Sequence, residues 1–257
     1  MGDRSAIEWT EATWNPVTGC SKVSPGCAHC YAESISLRFG HSKKAWIPQN
    51  ALENVRLHHD RLDQPLRWRR PRAVFVNSMS DLFHELVPEH FIAEVFRRMA
   101  AADRHTFQVL TKRPKRMREV VRNLYDQYGE FGGQPLANVW LGTSVENSRF
   151  TNRADALRET PAAVRFISAE PLLGPIAADL DLAGIDWVIV GGESGPHYRS
   201  MRPEWALELR DQCIEARVAF FFKQWGGRTP KAGGRELDGR LWDEQPAVAS
   251  TAKIATR

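Results

Sequence analysis

Short apolar runs rich in β-branched and aromatic residues recur along the chain, each ending in small polar or charged residues. They fall at 73–77, 106–110, 139–143, 164–168, 187–191 and 219–223, with a weaker one at 13–17. Near-continuous apolar runs suit strands buried on both faces, as in a parallel sheet. Between them the spacing becomes helical. Over 88–102, Phe91, Val95, Phe96 and Met99 form one stripe behind Pro88, and 149–157 and 203–216 read the same way. Strand, helix, strand, repeated, predicts an α/β architecture. Six or seven such units in 257 residues predict a complete or partial (β/α) barrel in a single domain.

An open nucleotide-binding sheet should carry a glycine-rich turn after its first strand. Neither G-x-G-x-x-G nor G-x-x-x-x-G-K-[ST] occurs, and the Gly191-Gly192-Glu193-Ser194-Gly195 turn comes late and lacks a lysine. Residues 40–72 read as an insertion broken by Pro48 and Pro65, placed to cover the barrel mouth, and 129–135 as a loop ending a helix. Asp238-Gly239 signals a short C-terminal hairpin. The domain is expected over 1–246, and 247–257 is expected to be a disordered tail.

Composition is that of a globular protein, 42% hydrophobic and 26% charged. No apolar run approaches the roughly 20 residues of a membrane span, and no apolar signal region follows Met1, so a cytoplasmic protein without a membrane partner is expected. Lysines and arginines number 35 against 31 acids, a net charge of +4. The excess is local: residues 56–72 hold six arginines and two acids, and residues 104–122 hold seven basic residues and one acid. Such stretches are either solvated faces or attractors of a phosphate-bearing partner.

Barrels of this kind carry their chemistry at the C-terminal strand ends. Those positions read Asn15; Asn77, Ser78 and Asp81; Lys112 and Arg113; Ser144 and Glu146; Ser168 and Glu170; Glu193; and Lys223 and Trp225. Any one of them can be a helix cap. Three glutamates and two lysines converging on one mouth are a site. By position, Asn77, Ser78, Ser144, Glu146 and Ser168 are candidate cofactor ligands, since hydroxyls and amides suit ribose and a carboxylate suits an ammonium. Glu170, Glu193 and Lys223 are candidate catalytic groups. Lys112, Arg113 and Trp225 are candidates for a nucleotide or nucleic-acid substrate, cations for phosphate and an indole for stacking.

The four cysteines are unevenly placed: Cys20, Cys27 and Cys30 sit together as C-x6-C-x2-C, and Cys213 lies alone in the 203–216 helix as a buried apolar residue. Clustered thiols in a reducing compartment hold metal. Three thiolates fit an iron–sulfur cubane with one open iron. Zinc would need a fourth ligand, for which His29 and Cys213 are the candidates.

The stretches Thr13-Trp14-Asn15-Pro16-Val17-Thr18-Gly19-Cys20, Pro25-Gly26-Cys27 and Cys30-Tyr31-Ala32-Glu33 resemble the opening of a phage- and prophage-associated three-cysteine family of unknown function, grouped with the radical S-adenosylmethionine (radical SAM) proteins. The likeness continues through Asn77–Asp81, Leu110–Arg113, Leu141–Glu146, Ser168–Glu170, Gly191–Gly195 and Phe222–Gly226 to the Leu237–Trp242 tail. It implies a partial (β/α)6-type barrel holding a [4Fe–4S] cluster and S-adenosylmethionine, with an external electron donor. The first cysteine gap is six residues, where the common radical SAM spacing has three. The expected function is a radical SAM-type iron–sulfur enzyme using a 5′-deoxyadenosyl radical on a nucleotide or nucleic acid, for base modification or repair. The alternative is a zinc- or cluster-stabilised nucleic-acid-binding or sensor protein that does not cleave the cofactor.

Overall fold

The computed structural model describes residues 5–127 and 131–246. Seven parallel strands form one sheet: β1 (Ala12–Trp14), β4 (Ala73–Val76), β5 (Thr106–Thr111), β6 (Val139–Ser144), β7 (Val164–Ala169), β8 (Trp187–Gly191) and β9 (Ala219–Gln224). A separate two-stranded ribbon pairs β2 (Val17–Thr18) antiparallel with β3 (Arg56–Leu57). The helices are α1 (Tyr31–Arg38), α2 (Ala51–Asn54), α3 (Glu89–Ala101), α4 (Pro114–Gln127), α5 (Arg153–Arg158) and α6 (Pro203–Ala216). No helix among the described residues is long and apolar enough to cross a membrane.

Strand order in the large sheet follows chain order from β1 to β9. A doubly wound sheet would reverse at a switch point; this one keeps turning the same way. Its curl is visible at Trp9, whose ring centroid lies 4.8 Å from Phe75 on β4 and 6.2 Å from Trp187 on β8. In a flat sheet those strands, four positions apart, would be separated by roughly 19 Å at ~4.8 Å per strand. One indole reaches both because the sheet bends around it. Edges β1 and β9 do not pair with each other, so the fold is the α/β partial barrel expected, with the weak first run supplying its seventh strand.

Alternation along the strands splits the core in two. One face, with Val74, Val76, Phe107, Val109, Leu141, Ile167, Val188, Val190, Phe220 and Phe222, packs against the helices. The other, with Phe75, Trp140, Phe166, Trp187, Ile189 and Phe221 around Trp9, fills the lower barrel interior. The helix over 88–102 is α3 and buries Phe91, Val95, Phe96 and Met99 as its stripe requires.

Several local features differ from the sequence reading. The weak strand at 13–17 is two strands: Pro16 has no N–H for a ladder, and Val17 N–H instead donates to Asn77 Oδ1 at 3.2 Å. The helix expected over 149–157 begins as a 3-10 turn, Ser148–Phe150, capped by Asn147, before α5. Helix α1 carries no apolar stripe and buries Ala32, Glu33 and Ser36. The insertion is helical only in short pieces, and its second half does not cover the mouth. It runs down the outer face as the crossover from β1 to β4, with Trp14 Nε1 donating to Arg61 O at 2.8 Å, His105 Nε2 bonding Pro65 O at 3.0 Å, and Leu62 and Trp68 in the helix-side core. At the other end, Leu237 and Arg240 pair antiparallel around Asp238 (φ 55°) and Gly239 (φ 72°), the hairpin its Asp-Gly pair announces. Its return arm lies on the β9 edge through Phe222 N–H to Trp242 O at 2.9 Å. The 247–257 tail lies outside the described residues.

Candidate functional site

Side chains two residues beyond the inner aromatic layer face the barrel mouth on the same side of each strand. Above Phe75 is Asn77; above Leu110, Lys112; above Trp140, Gly142 and Ser144; above Phe166, Ser168 and Glu170; above Ile189, Gly191; above Phe221, Lys223. The layer between aromatics and charges must be thin. A Cβ on Gly142 would lie 2.5 Å from the Phe166 ring, and one on Gly191 would lie 2.5 Å from Glu170 Oε1.

The charges above this layer form ion-paired nodes. Glu146 is fully buried: Oε1 accepts from Ser24 Oγ at 2.6 Å and faces Lys112 Nζ at 2.7 Å, while Oε2 accepts from Arg153 at 2.9 Å. Burial alone would push its carboxyl up, but Lys112 and Arg153 outweigh burial and hold it below the usual carboxylate range. Glu170 Oε1 pairs with Lys223 Nζ at 2.9 Å, and Ser168 Oγ donates to Glu170 Oε2 at 3.3 Å. Glu193 is gripped by Arg199 through both its oxygens and by His29 Nδ1 at 3.0 Å. Burial raises the Glu193 carboxyl, but the hydrogen bonds from Arg199 and His29 bring it down. Arg113 bonds Asp81 at 3.1 Å, Glu85 at 2.9 Å and both oxygens of Ser21 at 3.1 Å.

The three cysteines lie on the loop that leaves β2 over this ring, half-buried. Gly19 holds the loop close to the insertion: its φ is +82°, and a Cβ there would lie 1.9 Å from Asn54 O. A 3-10 turn, Pro25–Cys27, brings Cys27 round, and Cys30 caps α1. Glu33 of α1 ties the far side, accepting from Trp46 N–H at 2.8 Å and pairing with Lys22 at 2.8 Å. Gly26 passes so close to Glu146 that a Cβ would sit 2.6 Å from its Cγ. Burial pushes the Cys20 thiol up to about 12, Asp81 adds to this, and Arg113 opposes it. Burial also raises the Cys30 thiol.

The sequence-predicted residues therefore gather at one mouth but differ in availability. Asn77 is buried with φ +61°, and among the described residues its Nδ2 has no partner. Ser144 and Ser168 are buried on adjoining strands. Ser78 is tied through its hydroxyl to Asn15, and its carbonyl accepts from Tyr31 at 2.7 Å. Lys112 and Arg113 are committed to carboxylates. Trp225 packs on Phe222 at 4.8 Å, donates to Glu236 O at 2.7 Å, and lines a cleft of about 350 Å3 with Tyr198 and Arg228. A larger cleft of about 1030 Å3 opens at the opposite, N-terminal end of β7–β9 and includes none of the charged ring. Of the zinc candidates, His29 is engaged by Glu193, and Cys213 is buried in the helix-side core. Among the described residues no group of three or more His, Cys, Asp or Glu is arranged to hold a single metal ion.

Ser24, Arg153 and Arg199 are the site residues that the strand-end reading does not find. Ser24 sits between two cysteines without a motif of its own, Arg153 lies on α5, and Arg199 lies six residues beyond Glu193 in an irregular loop. None of these has a spacing signal.

A curled parallel sheet with three thiols and paired charges at its C-terminal mouth defines a partial-barrel protein with a mouth-side candidate site. The chain belongs to the family described as protein of unknown function (DUF5131), which matches it over residues 4–246. No curated protein matches it. Among solved structures, a spore photoproduct lyase complexed with dinucleoside spore photoproduct is similar at 14% identity, with a TM-score of 0.44 over 77% of this chain and 71% of that one.

Proposed function

We propose that the chain is a radical SAM-type iron–sulfur enzyme acting on a nucleotide or nucleic-acid substrate. The observation that carries the reading is the placement of Cys20, Cys27 and Cys30 on one loop over the mouth of a parallel partial barrel, facing inward carboxylates and lysines from five later strands and their loops. The donor set fits a cluster better than one zinc. A tetrahedral zinc needs four ligands around one point, and among the described residues no three His, Cys, Asp or Glu side chains are gathered that closely. A cluster spreads three thiolates over separate irons and needs no fourth protein ligand. Bound there, a [4Fe–4S] cluster with S-adenosylmethionine would supply one-electron reduction and hydrogen-atom abstraction.

The chain's own residues would do the remaining work. Among the described residues Asn77 Nδ2, after β4, is a buried donor without an acceptor, and Ser144 and Ser168 supply hydroxyls from the ends of β6 and β7. These suit the polar portions of a cofactor. Lys223 Nζ and Glu170 Oε1, 2.9 Å apart and both partly exposed, can hold or pass a proton at the mouth. Glu193 is oriented by Arg199 and His29. Trp225 and Tyr198, beside the glycines of their shared cleft, offer flat surfaces for a base. The aromatic layer around Trp9 closes the barrel floor and excludes water from below.

Anaerobic purification tests the proposal first: about four irons and four sulfides per chain are expected. A colourless protein with one zinc refutes it. Incubation with dithionite and S-adenosylmethionine should then yield 5′-deoxyadenosine, and its absence with an intact cluster favours a sensor. Single-stranded DNA or RNA should bind with an affinity that falls with salt. Salt-independent or undetectable binding points to a small metabolite or peptide.

A further inference from the structure

We infer that Arg113 is a positioning residue for Cys20, holding its sulfur by an N–H···S hydrogen bond and thereby raising the reduction potential of the cluster proposed above. The inference rests on that proposal. Arginine is seldom buried unless paired, yet Arg113 is only 7% exposed. Its planar fork is occupied on every side. Nε donates to Glu85 at 2.9 Å, Nη1 to Asp81 Oδ2 at 3.1 Å and to Cys20 Sγ at 3.7 Å, and Nη2 to the carbonyl and hydroxyl of Ser21 at 3.1 Å.

The anchors of the fork are themselves fixed. Asp81 accepts from Thr111 Oγ1 at 2.7 Å, Phe83 N–H at 2.9 Å and Lys112 N–H at 3.1 Å. Ser21 Oγ also bonds His84 Nε2 at 2.9 Å. The two carboxylates would satisfy the guanidinium charge without the loop. Reaching past them to one cysteine and the next residue's carbonyl therefore places that sulfur. Among the described residues neither Cys27 nor Cys30 has a guanidinium partner; Cys27 has only Ser24 Oγ, at 3.8 Å. Donors and positive charge aimed at a ligand sulfur favour the reduced, more negative cluster and raise its potential. A lysine ammonium is a point donor and cannot satisfy Asp81, Ser21 and the sulfur in one plane.

The test compares wild type with Arg113→Lys after anaerobic reconstitution, with iron and sulfide quantified before a redox titration followed by electron paramagnetic resonance. Reduction should be at least tenfold less favourable in the variant, ~59 mV for one electron. A merely structural role would lower iron occupancy or melting temperature while leaving the potential of the loaded fraction unchanged, and that result overturns the inference. Wild type that takes up no cluster overturns the proposed function itself, so the two failures are distinct. If the variant does not fold, arginine labelled with 15N in the guanidinium decides, in an Arg199→Lys background so that Arg199 beside Pro25 cannot supply the signal. A hyperfine coupling to the reduced cluster is expected, and its absence refutes the hydrogen bond.

Discussion

Replacing Glu146 with glutamine tests whether buried ion pairs hold the cysteine loop to the barrel. The carboxylate is fully buried and meets Lys112, Arg153 and Ser24 at 2.7, 2.9 and 2.6 Å. Glutamine keeps the shape but removes the charge and turns an N–H toward a cation. Breaking a buried pair costs about 3–5 kcal/mol. The lower end applies, because Lys112 is one-fifth exposed and can turn toward water. Arg153 cannot, but it keeps the Ser144 carbonyl at 2.8 Å and its stack on Phe150 at 4.3 Å. We expect a loss of about 3 kcal/mol, or roughly 6–12 °C in melting temperature for a chain of this size. The assay is anaerobic urea unfolding of the apoprotein, with the midpoint lowered and the slope unchanged. Because the Glu146 carboxyl titrates below its usual range, its contribution is complete above the unfolded value near 4.5 and is lost as pH falls through the folded value. The difference between wild type and variant should therefore shrink in acid. Ser24→Ala, which removes the tether together with the Ser24 Oγ contact to Cys27 Sγ at 3.8 Å, should cost about 1.5–3 kcal/mol and speed alkylation of Cys27. A loss under about 1 kcal/mol for Glu146→Gln, with Cys27 alkylation unchanged, would refute the clamp.

Gly142→Ala places a methyl group 2.5 Å from the Phe166 ring and should destabilise the chain by about 1–3 kcal/mol through overpacking, read by urea unfolding; a neutral result would refute tight packing of the inner layer at this point. Burial, with Arg104 and Arg72 nearby, holds the His105 imidazole below its usual range despite its bond to Pro65. The unfolded chain takes up a proton near pH 6.5 that the folded chain resists, so stability should fall as pH drops below that point, and His105→Gln should flatten the slope between pH 7 and 5. Gly26→Ala drives a Cβ to 2.6 Å from Glu146 Cγ and should displace the cysteine loop, seen as reduced iron uptake with an unchanged circular dichroism spectrum.

Much of the fold was legible because parallel strands buried on both faces write their own signal. The six strong runs became β4 to β9, and their C-terminal ends carry Lys112, Ser144, Glu170 and Lys223; the aromatic floor beneath those side chains was not read from the runs. The cysteine triplet and the Asp238-Gly239 hairpin were equally local, because both rest on short spacings or turn geometry. What the chain alone did not disclose depends on partners distant in sequence. Ser24 and Glu146 are 122 residues apart, and Arg113 and Cys20 are 93 apart, with no periodicity linking either pair. Lys112 and Arg113 read as free cations at a strand end, yet each is neutralised by a carboxylate that the curl of the sheet or the loop after β4 brings to it. The same holds for the insertion, whose path down the outer face follows from Trp14, His105 and the core around Leu62 and Trp68 rather than from its own polar composition. Strand identity follows from local burial patterns, which the sequence carries residue by residue. The pairing of buried charges follows from which strand ends a curved sheet sets side by side, and only the closed tertiary structure decides that.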